Sequence, residues 1–143
     1  MPFTAFHLGP AFLLAALLTP LALPPLIIGS IAVDVEPALI LVLGLDLPLH
    51  GFLHSLLFGV LLAFILSFIY SFLLGQKFIF VFFFMYLGHT VHVILDSMLY
   101  SDIKPFLPFG FNPLYGLLSS IQVTVFCVLC FITSIIIFIF RRR

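Results

Sequence analysis

Residues 78–100 read FIFVFFFMYLGHTVHVILDSMLY. The stretch is long enough to cross a bilayer as a helix, which takes about 20 apolar residues. Its three ionisable side chains, His89, His92 and Asp96, all fall in the second half. In water, so many Phe, Val and Ile residues would favour strands. In lipid every backbone polar group must be satisfied within the segment, so the expectation is a transmembrane helix.

Two further stretches resemble it in length and hydropathy. Residues 51–75 and 115–140 contain no Asp, Glu, Lys or Arg. The whole chain is 64% hydrophobic and 7% charged, too little charge for the surface of a soluble domain. The amino-terminal part is less regular. Residues 9–19 read as a short helix, 20–25 as a proline-rich turn, and 26–45 as a second helical segment. Pro37 is expected to bend that segment, with Glu36 before it biased toward extended backbone. The expected fold is all-α: one polytopic transmembrane helix bundle spanning residues 1–143. It has about five membrane elements, the first two short or broken.

Charge sets the remaining bounds. Formal net charge is zero, so no basic field points to nucleic acid. Lys77 falls in a tight turn between two spans, and Arg141, Arg142 and Arg143 follow the last one. The positive-inside rule makes their shared side cytoplasmic. That predicts a multi-pass integral membrane protein with its carboxyl terminus inside and its amino terminus outside. The first 33 residues hold no Lys or Arg, so a cleavable signal peptide is not expected. Cys127 and Cys130 sit mid-span without a basic neighbour and read as structural.

Ionisable side chains inside spans are costly and point to function. Take residues 51–75 and 78–100 as a hairpin turning at Gln76 and Lys77. His54 lies 22 residues before Gln76, and Asp96 lies 19 after Lys77. At about 1.5 Å per residue their depths differ by roughly 5 Å. His92 and Asp96, four apart, share one helix face. If 20–25 is also a turn, His7 and Asp34 reach the open end of the first hairpin. Asp34 and Glu36 aim two carboxylates into one cavity if the backbone there is extended. His7, Asp34, His54, His92 and Asp96 are thus the candidate metal ligands, at the outer end of the bundle. Imidazole and carboxylate suit zinc, with manganese or iron also compatible, as one or two divalent ions. His89 lies about two turns deeper than Asp96 and reads as carboxylate support. His50 sits at the helix mouth, and Ser55 back-bonds to its helix or acts as a nucleophile.

At these residues the chain resembles the YdjM-like family of membrane-bound metal-dependent hydrolases. The family pattern has an amino-terminal His, a carboxylate pair like PDxD, then HRGxTHS, then GxxxHxxxD. The corresponding stretches are Phe6-His7-Leu8, Asp34-Val35-Glu36, His50-Gly51-Phe52-Leu53-His54-Ser55, and Gly88 through Asp96. The segment Lys104-Pro105-Phe106-Leu107-Pro108 is similar to a short proline-rich segment that follows in the family. Glu36 replaces the second Asp, Pro37 stands where His is common, and His50 and Leu49 take the Arg and first His positions. The resemblance implies a metal-dependent hydrolase and fixes no substrate.

These readings combine into a metal-dependent hydrolase acting on a lipid or membrane-associated (phospho)ester. Metal-activated water would be the nucleophile, with Glu36 or Asp34 as general base. The loop 101–112, with Asp102 and Lys104, would cover the pocket and contact a headgroup. Oligomeric state is not readable. The alternatives are a small metal-ion or proton transporter, or a metal-stabilised structural subunit. A transporter needs polar groups continuing toward the inner side, where only Ser67, Ser71, Thr124 and Ser134 are available.

Overall fold

The structure is a computed structural model that describes residues 4–141, so Arg142 and Arg143 lie outside the described residues. Six α-helices and two short 3-10 turns account for its regular structure, and the described residues contain no strand. The helices are α1 (Thr4–Leu17), α2 (Leu23–Ala32), α3 (Val35–Leu43), α4 (Leu56–Leu74), α5 (Phe78–Leu99) and α6 (Ser120–Arg141). Four helical stretches are long and apolar enough to cross a membrane: Pro20–Leu43, which takes in α2 and α3, Leu56–Leu74, Phe78–Ser97 and Ser120–Arg141. The shorter α1 is also apolar. The expected all-α bundle, with its first two elements short or broken, is the fold observed.

Helix α5 lies at the centre, packed between α2 and α4, while α1 packs on both α2 and α6. The α2–α5 contact is close because glycines face backbone on both sides. A Cβ on Gly29 would strike the Met85 carbonyl, and one on Gly88 the Leu26 carbonyl. Gly9 of α1 meets the Cys127 carbonyl of α6 in the same way. Small residues at helix interfaces are how membrane bundles gain van der Waals contact when lipid is as apolar as the side chains. Cys127 and Cys130 are buried free thiols, as a packing role requires. Large apolar side chains on the outside of α4 and α6, among them Phe68, Phe72, Ile121 and Leu129, are exposed and present an apolar belt.

Helix ends follow local chemistry. Gly44, at φ 61°, closes α3: its N–H reaches the Leu41 carbonyl and the Leu45 N–H that of Ile40, a Schellman pattern. Ser119 and Gln122 form a reciprocal capping box at the start of α6, at 2.8 and 3.3 Å. That cap explains why α6 begins at Ser120 rather than at 115.

Two expectations are corrected near the site. The second segment is interrupted at Val33 and Asp34, which keep right-handed helical backbone, rather than at Pro37 itself. Pro37 has no N–H to give the Val33 carbonyl, so the ladder fails four residues upstream. Pro37 then sits in the first turn of α3, where a missing N–H costs nothing. Glu36 is therefore helical rather than extended. Residues 51–55 are also not helical throughout. They form a 3-10 turn, Phe52–His54, before α4 starts at its cap Ser55.

Candidate metal centre

The polar residues gather where the ends of α1, α2, α4 and α5 meet. Asp34 occupies the α2–α3 break, one ligand arm displaced from an otherwise continuous helical path. His54 comes from the 3-10 turn ahead of α4. His92 and Asp96 project from one face of α5. His92 Nε2 lies 3.1 Å from Asp96 Oδ2 and 3.3 Å from Asp34 Oδ1. His54 Nε2 lies 3.8 Å from each of Asp34 Oδ1 and Asp96 Oδ2. One donor atom from each of the four falls within 4.8 Å of the others. His7 stands at the edge of this set, with Nε2 3.4 Å from Asp96 Oδ1 and its ring centroid 4.6 Å from that of His92. All five residues that the sequence nominated as ligands are thus neighbours.

These donors fit a cation. His54 and His92 are fully buried, and His7 and Asp96 nearly so. Both ring nitrogens of His7 and of His54, and Asp96 Oδ1, are buried without a hydrogen-bond partner among the described residues. Native interiors rarely leave such atoms unpaired. An ion about 2.0–2.2 Å from each donor needs donors no more than about 4.4 Å apart. A contraction of a few tenths of an ångström closes the set. Two carboxylates also balance one divalent charge, which neutral imidazoles alone would leave buried and uncompensated.

The surrounding groups hold this set in place. Glu36 accepts the N–H of Phe52 at 3.1 Å and of Leu53 at 2.9 Å, one on each oxygen. Its Oε2 is 4.0 Å from His54 Nδ1. Glu36 thus grips the turn that carries His54, and a Cβ on Gly51 would push the carboxylate aside. Ser55 donates to the Phe52 carbonyl at 2.8 Å and accepts from the Phe58 N–H at 3.3 Å. With both capacities used in capping, it is placed as a helix cap. His89 was expected to support a carboxylate, but its Nε2 instead meets the Ser55 carbonyl at 3.1 Å. Its ring lies against Gly59, where no side chain would fit.

The mouth is built from the segment after α5. His50 Nδ1 donates to Asp102 at 2.9 and 3.1 Å. The His50 ring packs between His54 and Tyr100, with centroids 4.8 and 4.4 Å away. Buried Ile103, and the Pro105 carbonyl that accepts the Leu56 N–H at 2.9 Å, fasten this segment to the start of α4. Lys104 is exposed and is not drawn into the cluster.

Tyr100 was not nominated by the sequence. It follows Asp96 by four residues, so the same spacing that marked His92 could have marked it. Burial raises its phenol above the usual tyrosine range, and the charges of Asp96, Asp34 and Asp102 raise it further. It is a protonated hydroxyl at the edge of the acidic cluster. Asn112 supports it, donating to the Ser97 and Tyr100 carbonyls at 2.9 and 3.1 Å.

Comparison with known proteins adds nothing to the geometry: no protein-family model, no curated protein and no solved structure matches the chain.

Proposed function

We propose that the chain is a membrane-embedded, metal-dependent hydrolase that acts on a lipid or membrane-associated (phospho)ester. One observation carries the reading: two His and two Asp donors converge within 4.8 Å at one end of an apolar bundle, three of the four residues buried. The motif resemblance to the YdjM-like family supports the same chemistry. Asp34, His54, His92 and Asp96 would hold a divalent ion, zinc by donor type, with His7 beside them as a further ligand. Such an ion supplies a Lewis acid and brings the pKa of water down to about 7.

The chain's own groups then have separable tasks. Asp34, with its side chain 23% exposed against 6% for Asp96, is the more open carboxylate of the ligand set and would take the proton of the attacking water. The water oxygen bonds to the carbonyl carbon or phosphorus, the ester bond breaks, and the leaving alkoxide takes up the proton that Asp34 received from the water. Glu36 is better cast as the residue that positions His54 than as the base, because each of its oxygens already accepts a backbone N–H. The burial of the histidines excludes bulk water from the reacting bond.

Lys77 and Arg141 lie at the end of the bundle opposite the cluster, Arg141 donating to the Leu17 carbonyl at 3.1 Å. By the positive-inside rule the cluster would then face the outer side. A transporter reading is less favoured, because the histidines and carboxylates stop at the level of His89, and among the described residues only uncharged groups such as Ser67, Ser71 and Ser134 continue toward the basic end.

The test is to reconstitute the protein with total membrane lipid and a divalent metal, and to compare products by mass spectrometry with those of His92→Ala. A new alcohol or acid formed only by the wild type supports the reading. Identical lipid profiles across carboxylic and phosphoric esters overturn it.

A further inference from the structure

A concavity lies at the same end of the bundle as the metal cluster. It is a cleft of about 320 Å³ between the end of α5, at Met98 to Tyr100, and residues 115–120. The Gly116 N–H bonds to the Met98 carbonyl at 2.9 Å, which fixes the far wall to α5. Asn112 fixes the near wall through Ser97 and Tyr100. The cleft is therefore part of the fold rather than a gap between loose loops.

Its lining has a definite chemistry. Tyr100, Tyr115, Ser119 and Ser120 bring hydroxyls, while Met98 and Leu118 bring apolar surface. No Lys, Arg, His, Asp or Glu lines it. A phosphate or an ammonium group would find no counter-charge there. Hydroxyl groups, which donate and accept, match residues that themselves carry hydroxyls. The volume is at the small end for ligand sites and suits a polyol rather than a whole lipid. Tyr100 is the wall residue that also meets the cluster, since its ring rests on His50 and it stands one turn past Asp96.

We propose that this cleft seats an uncharged, hydroxyl-bearing group, such as glycerol or a sugar, next to the ester bond held at the metal cluster, with Tyr100 hydrogen-bonding that group at the junction. The substrate class is then an ester of a neutral polyol. The link to an ester rests on the hydrolase reading, whereas binding in the cleft does not.

The experiment measures retention of 1-monooleoylglycerol and of oleoyl lysophosphatidate by native mass spectrometry of detergent-purified protein, together with metal content. Monooleoylglycerol is expected to stay bound and lysophosphatidate to be lost. Ser120→Trp, which fills the cleft, should abolish retention. Tyr100→Phe, which removes only the hydroxyl, should weaken it about fivefold, the scale of one hydrogen bond. Both variants should keep the metal content of the wild type, which shows that the cluster is intact. Competition by millimolar free glycerol would assign the polyol to a soluble source, and no competition would assign it to lipid; either outcome supports the cleft chemistry. Equal retention of both lipids, or retention indifferent to Ser120→Trp in a variant with normal metal content, overturns the proposal. Metal-free wild type that still retains monooleoylglycerol would defeat the hydrolase reading and leave the cleft standing.

Discussion

Helix α5 and the α2–α3 pair both deliver carboxylates to the cluster, but by opposite means. Helix α5 is continuous over 22 residues and places His92 and Asp96 on one face by helical spacing alone. The α2–α3 path is broken, and Asp34 occupies the break. One arm is therefore rigid because its own backbone ladder is complete. The other is held by what its side chains grip: Glu36 on the Phe52 and Leu53 N–H groups, and Asp34 beside His54 and His92. A regular element can present ligands unaided, whereas an interrupted one needs partners from elsewhere in the chain.

That contrast can be broken most severely on the rigid arm. His92→Ala or Asp96→Ala removes a buried donor and leaves its neighbours uncompensated. Metal retention, measured by equilibrium dialysis, should fall by more than about 100-fold, beyond the 10–100-fold typical of outer support. Loss of Glu36 probes the gripped arm. Glu36→Ala frees two N–H groups and lets the His54 turn relax, so metal affinity should drop by about 10–100-fold while helical circular dichroism stays unchanged. Equal affinity in Glu36→Ala would show that the break holds itself.

The close α2–α5 approach is the third point of attack. Gly29→Leu must push the Met85 backbone away and should cost about 1–3 kcal/mol of stability, read as a lowered unfolding midpoint in detergent. The smallest effect is expected at Pro37. Pro37→Ala restores an N–H, but the break is also set by the contacts of Asp34 and Glu36. Stability should shift by less than about 1 kcal/mol, with metal retained. Loss of metal in this variant would show that the proline alone, without the grip of Asp34 and Glu36, keeps the path broken.

The same contrast explains what the sequence revealed. The bundle was legible because lipid-facing composition and span length admit few solutions. The depths of His54 and Asp96 could be matched by counting residues from Lys77, since Asp96 lies on a regular arm and His54 directly precedes the cap of the other; they stand 3.8 Å apart. The break was harder to place. Proline acts on the hydrogen bond to the residue four before it, so the ladder fails at Val33 and Asp34 rather than at Pro37 itself. Glu36 could not be assigned its grip, because its partners are backbone N–H groups 16 and 17 residues away, and backbone groups leave no mark in sequence. Residues 51–55 looked helical by composition and are held out of the helix by that same carboxylate. Tyr100 was missed because an interfacial tyrosine is ordinary in membrane proteins.

The most direct measurement is the divalent metal content of the purified protein, by plasma mass spectrometry after purification without chelators. The convergence of Asp34, His54, His92 and Asp96 predicts about one ion per chain, since two carboxylates balance one divalent charge, and its loss in Asp96→Ala. A folded, helical preparation that carries no divalent ion and takes up none on incubation with zinc, manganese or iron would contradict it.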